Sequence, residues 1–162
     1  MVEIVSRIER ILRQIVATSP MLILCVFSTP LLAWQGDKLA PWVGTTLYGK
    51  KCAGPGIPYG PYDYLQRARL PAELEIVEYN HFTPEVENLE RGLTSSVIDD
   101  LNYTLMAWPN HHRALNSVLK YRLQRFPHWP EDSGAPPAEC YLQRAIKFSP
   151  NDAKPYMMYG LL

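Results

Sequence analysis

Apolar residues in the C-terminal half of the chain recur with the spacing of helices. Leu101 and Leu105 lie four residues apart before a Pro-Asn pair, and Leu142 and Ile146 have the same spacing before a second Pro-Asn pair. Positions three or four apart share one face of an α-helix, and a proline ends a helix because it lacks a backbone N–H. The pattern therefore predicts two helices that end close to these prolines.

The two segments also match each other along their length. Residues 101–110 parallel residues 142–151 at an offset of 41 positions, with leucine aligned to leucine, Thr104 to Ala145 and Pro-Asn to Pro-Asn. Periods of about 20–50 residues are typical of stacked helical hairpins. Residues 127–137 lie between the two copies and are rich in proline and glycine, so they are expected to form a loop that contains the extra residues of the longer repeat.

On these residues the chain resembles the tetratricopeptide repeat family. Ala138, Leu142, Ala145 and Pro150 fall in that family's register. Tyr156 and Tyr159 follow as aromatic substitutions, and Gly160 stands at the family's glycine. The resemblance implies a mainly α fold of antiparallel helical hairpins over residues 83–162. The arrangement of the chain is similar to that of the exported repeat proteins of Gram-negative bacteria, which usually bind other proteins. If a peptide is bound, the candidate contacts, chosen for their polarity on the first helix of a hairpin, are Asn110, Asn116, Tyr121 and Arg122.

Turn and cap residues predict the boundaries of the remaining elements. Thr83-Pro84-Glu85 is typical of a helix start, with a capping threonine and proline at the first helical position. A further helix is predicted from about His112, and the polar residues before it are expected to cap it. Residues 74–82 alternate imperfectly and predict a short strand or extended connector. Residues 34–82 as a whole form an irregular segment rich in Tyr, Gly and Pro.

The N-terminus indicates export. Residues 1–33 combine an arginine-containing segment with an apolar run of about 13 residues, the order of a secretory signal peptide. The alternative is an uncleaved N-terminal membrane anchor. We expect a periplasmic or envelope-associated protein, with membrane association through this segment. In an oxidising compartment Cys52 and Cys140 are candidates for a disulfide, the alternative being two buried thiols.

Composition and motifs narrow the function. The formal net charge is zero, which argues against a nucleic-acid-binding protein. The enzyme hypothesis, directed at a metal or a sugar, depends on the four histidines and on a second candidate cluster: Tyr59, Tyr62, Asp63, Glu78 and His81. No HExxH, GxSxG, phosphate-binding glycine loop or zinc-ligand spacing occurs. Asp99 and Asp100 are interpreted as the solvated face of a helix.

We therefore expect a scaffold that binds a protein or peptide, without a cofactor and without enzymatic activity. An envelope-anchored structural protein and an enzyme are the alternatives. Residues 151–162 begin a helix that ends after about two turns with apolar residues uncovered. Since each repeat needs a neighbour, the chain is expected to be the beginning of a longer array, or its last helix to dock on another surface.

Overall fold

The described part of the chain forms six α-helices, preceded by one 3-10 helix. The computed structural model describes residues 39–125 and 134–162, so the predicted export segment 1–33 and His128 lie outside the described residues. None of the described helices has the length and apolar character needed to cross a membrane. In chain order the elements are the 3-10 helix Tyr64–Arg69, α1 (Pro71–His81), α2 (Pro84–Glu87), α3 (Val97–Ala107), α4 (His112–Lys120) with a π-helical turn at Tyr121–Arg125, α5 (Ala138–Phe148) and α6 (Ala153–Tyr159).

The segment predicted as a short strand is helical. Residues 74–81 belong to α1 and Phe82 caps its end, so the strand prediction is wrong. Pro71 stands at the start of the helix and Glu73 in its first turn, where both are favourable. Val77 is buried in a cluster with Ala107 and Trp108, and such long-range packing overrides a weak alternating pattern. In the described residues β pairing is limited to an isolated antiparallel bridge at residues 45 and 51.

Helix α2 begins at the predicted residue and ends after one turn. Thr83 is its N-cap and Pro84 its first residue, as the sequence predicts. Leu89 follows with a φ of 63°, and this left-handed conformation cannot continue a right-handed helix. Leu89 is nevertheless buried, so its place in the core fixes this turn.

The helix ends repeat at the predicted interval. Helix α5 begins and ends 41 positions after α3, and α6 begins 41 positions after α4. The N-caps of α4 and α6 are also equivalent: His111 and Asp152 each accept a hydrogen bond from a backbone N–H of the helix that follows. The predicted capped junction before α4 is confirmed, and the structure contains two helical hairpins with the same register.

The two hairpins enclose the larger apolar core. Helix α4 packs against α3, α5 and α6, and α2 covers one end. Ala138 and Ala145 are fully buried, which lets the helices approach closely. The large side chains that fill the space between them are also fully buried: Leu101, Leu105, Leu115, Val118 and Leu142.

Helix α6 is short, as predicted. Met158 and Leu162 pack against the core, whereas Tyr156, Met157 and Leu161 are exposed. Whether this segment continues into a longer array or docks on another surface stays a prediction.

A disulfide and two side chains fasten the loop of residues 39–55 to α5. Cys52 and Cys140 are joined, with their Cα atoms 5.5 Å apart. Gln143 Nε2 donates to a carbonyl of the loop at 2.8 Å, and Glu139 accepts from a loop N–H at 2.9 Å. Of the two alternatives for the cysteines, the structure has the disulfide. Such bonds persist in oxidising compartments.

Arg144 anchors the same loop from within the core. The side chain is buried, and its guanidinium donates to the carbonyls of Ala40 and Leu105, each at 2.8 Å. It also lies over the ring of Trp42, 4.6 Å from the centroid. Burial lowers the pKa of Arg144 to about 10, so the side chain is charged at neutral pH and the two carbonyls solvate it.

Candidate functional site: the groove beside helix α1

Three histidines of the described chain each contact one carboxylate. The pairs are His81 with Asp100 at 3.0 Å, His111 with Glu78 at 2.9 Å and His112 with Asp152 at 2.7 Å. Within residues 39–125 and 134–162, no group of three or more His, Cys, Asp or Glu side chains is arranged to hold a metal ion.

Asn110 joins three parts of the fold. Its side chain is fully buried. Its Oδ1 accepts from the backbone N–H of Tyr64 at 2.9 Å, and its Nδ2 donates to Asp63 at 2.8 Å and to Asp152 at 2.9 Å. Asp63 caps the 3-10 helix and Asp152 caps α6. The prediction that Asn110 contacts a partner is therefore wrong, because its hydrogen bonds are internal and it lies away from solvent.

His111 contacts α1 through the side chain of Glu78. Its Nδ1 accepts from the N–H of Ala114 at 3.1 Å, so the proton of the neutral ring is on Nε2, which donates to Glu78. Burial lowers the pKa of His111, and the hydrogen bond from His111 lowers the pKa of Glu78. Arg113 contacts Glu78 as well, at 3.4 Å, and pairs with Glu87 on α2. These charges connect α1, α2 and α4.

A groove of about 670 Å³ lies along α1 above this network. Its apolar walls come from α1, from the start of α2 and from the loop before α3: Pro71, Leu74, Phe82, Pro84 and Leu93. Tyr79, which is 77% exposed, stands on one side of it. The volume is within the range of about 300–1,000 Å³ that is usual for ligand sites.

Arg67 places a positive charge at the groove, whose lining also includes the carboxylates of Glu75 and Glu78. Its guanidinium donates to the carbonyl of Tyr64 at 3.1 Å and lies over the ring of the same residue at 4.7 Å. No carboxylate of the described residues lies within ion-pair distance of it, whereas Arg113 has two. Arg67 is therefore the arginine of the groove whose charge is not already paired.

The predicted cluster in the first half of the chain is divided among three places. Glu78 lines the groove and Asp63 belongs to the Asn110 network. Tyr59 and His81 line a second, smaller pocket on another side of α1. Tyr62 is buried against Trp108, and burial raises its pKa.

The candidates on α4 lie outside the groove. Asn116 is half-buried, and Tyr121 packs against the larger core. Tyr121 and Arg122 belong to the π-helical turn. The interpretation of Asp100 as solvated is wrong: it is fully buried and accepts from the backbone N–H groups of Leu93 and Thr94.

The groove was not predicted, because residues 74–82 were expected to form a short strand or extended connector and not a helix. Considered as a helix, residues 71–81 carry Leu74, Ile76, Val77 and Tyr79 on several faces, and only Val77 is buried. Apolar residues around an entire helix indicate contacts on more than one side. That signal was present in the sequence.

Comparison of the chain with protein-family models, with curated proteins and with solved structures finds no significant match. The fold and the site define a small, mainly helical, disulfide-containing domain with two hairpins in register.

Proposed function

We propose that this chain is an exported, tetratricopeptide-like scaffold whose α1 groove binds an acidic–apolar segment of a protein partner. The observation that carries the proposal is the combination of an apolar groove with one unpaired arginine. The disulfide supports export, because it is of the type found in oxidising compartments.

The apolar part of the proposal depends on the walls of the groove. Leu93 is 47% exposed and Tyr79 is 77% exposed, so both have apolar surface that a partner would remove from water. Each square ångström of apolar surface buried contributes about 25 cal/mol. Exposed aromatic and apolar side chains grouped on one surface are typical of protein-binding sites.

The acidic part depends on Arg67. Arginine binds carboxylates through two parallel hydrogen bonds, and it is enriched at protein interfaces. Since Arg113 already pairs with Glu78 and Glu87, Arg67 is the cation that remains to bind a carboxylate of the partner. The carboxylate of Glu75 also lines the groove, so the apolar residues of the segment must place its acidic residue beside Arg67.

The test is a selection of peptides from a random library of about 12 residues displayed on phage. We expect enriched peptides to combine Leu, Phe or Tyr with Asp or Glu. Their binding is expected to fall in Leu93→Ala but not in Leu65→Ala, a control variant with the same 47% exposure outside the groove. No enrichment, or equal loss in both variants, would count against the proposal.

A further inference from the structure

A second pocket lies on the other side of α1 and has a different chemistry. Its volume is about 270 Å³, and the residues that line it include Tyr59, Asn80, His81, Thr94 and Tyr103. The rest of its lining is aliphatic, from α1. Asp, Glu, Lys and Arg do not occur among its lining residues, in contrast to the groove.

His81 is oriented in this pocket by Asp100. Its Nδ1 lies 3.0 Å from the buried carboxylate, and its ring stacks on Tyr103 with the centroids 3.8 Å apart. Although burial opposes it, hydrogen bonds from Thr94, His81 and two backbone N–H groups lower the pKa of Asp100. The carboxylate is therefore ionised and accepts the proton on Nδ1. In the tautomer with this proton on Nδ1, Nε2 is an acceptor.

The surroundings of Nε2 favour binding over nucleophilic catalysis. The Thr94 hydroxyl donates to Asp100, and it approaches the Nδ1 side of His81 at 3.4 Å. A base that activates a hydroxyl must bond it through its free nitrogen, and here that nitrogen has no protein partner among the described residues. Nε2 is also accessible to solvent, because it has no such partner and yet is not one of the buried unpaired atoms.

We propose that this pocket binds a single ring of an uncharged, polyhydroxylated ligand, such as one sugar unit. Asn80 Nδ2 already donates to the carbonyl of Ile76 at 2.7 Å, which leaves its Oδ1 as an acceptor. The imidazole acceptor, Asn80 Oδ1 and the Tyr103 hydroxyl match sugar hydroxyls, and aromatic and aliphatic side chains match the apolar face of a pyranose. The absence of charge in the lining disfavours anionic and cationic ligands. The volume, below the ~300 Å³ at which pockets for drug-sized ligands begin, limits the ligand to about one ring.

The test uses the folded, disulfide-bonded protein and follows the imidazole ¹⁵N resonance of His81 by NMR. The probes are glucose and N-acetylglucosamine, with glucuronate and glucosamine as charged counterparts. We expect saturable shifts with a neutral sugar at millimolar concentration, below about 50 mM. Asn80→Ala and Tyr103→Phe are expected to weaken that binding by at least about threefold through the loss of one hydrogen bond. Tyr48→Phe, at a tyrosine that is 72% exposed and lines neither pocket, serves as the matched control and leaves the binding unchanged.

Three results would overturn the proposal. The first is no saturable shift of His81 with either neutral sugar. The second is binding of a charged sugar as tight as that of its neutral counterpart. The third is the same affinity in Asn80→Ala and Tyr103→Phe as in the unmodified chain. Because the pocket shares no lining residue with the groove, failure here leaves the peptide proposal standing, and failure there leaves this one standing.

Discussion

Replacement of Asn110 by alanine tests how the described fold is held together. The substitution removes two hydrogen bonds to carboxylates and one from a backbone N–H, all inside the protein. Hydrogen bonds to charged groups contribute about 1.5–3 kcal/mol each, and an unsatisfied buried donor adds a penalty. Asp63 and Asp152 keep other donors, Ser149 and His112 respectively. We therefore expect Asn110→Ala to lower the free energy of unfolding by about 3–5 kcal/mol.

The assay is urea denaturation followed by circular dichroism with the disulfide oxidised. Asn151→Ala is the matched control, because Asn151 occupies the equivalent position of the second hairpin and is exposed. It is expected to change stability by less than about 0.5 kcal/mol. If Asn110→Ala does not fold, Ser149→Ala, which removes one hydrogen-bonding side chain from Asp63, gives a smaller loss of about 1 kcal/mol. A change below about 1 kcal/mol in Asn110→Ala would refute the argument.

Three further predictions concern pH, the disulfide and the N-terminal loop. Because the folded state lowers the pKa of His111, whose ordinary value is 6.5, stability is complete above pH 6.5 and falls as the pH falls below it. In His111→Asn, which keeps a capping side chain, the free energy of unfolding measured in urea is expected to fall less with decreasing pH. If it depends on pH as in the unmodified chain, His111 is not the group responsible. Replacing Cys52 and Cys140 together by serine is expected to cost about 2–5 kcal/mol in the same assay, since the bond spans 88 positions; a loss under about 1 kcal/mol would contradict this. Gly44→Ala is expected to lower the melting temperature, because φ is 81° and the added methyl group would overlap the Gln143 side chain; Gly49→Ala, with a similar φ and no atom in the way, is its control, and equal losses would assign the effect to the backbone alone.

The helical hairpins were predictable from the sequence. The 41-residue offset, the Pro-Asn pairs and the small residues at 138 and 145 reflect local helix chemistry and packing within a hairpin. These signals lie within short windows of the chain. The matching bounds of α3 and α5 confirm them.

The groove and the polar networks were not predictable in the same way. Asn110 was expected to contact a partner because it is polar, but its side chain contacts residues 46, 47 and 42 positions away. His81 meets Asp100 across 19 positions, and His111 meets Glu78 across 33. Each pairing depends on which helices pack together, and that is decided by the burial of apolar residues elsewhere in the chain. The error at α1 had the same origin, because Val77 is buried in a cluster that contains Tyr62, Ala107 and Trp108.

The most direct test of the proposed function is the affinity of one selected acidic–apolar peptide, measured by isothermal titration calorimetry. The comparison is between the unmodified chain, Arg67→Glu and Arg69→Glu. Both variants make the same charge change on the same 3-10 helix, but only Arg67 lines the groove. We expect Arg67→Glu to weaken binding by at least about tenfold and Arg69→Glu by less than about threefold. Equal effects of the two variants, or none, would contradict the assignment of the groove as the docking site.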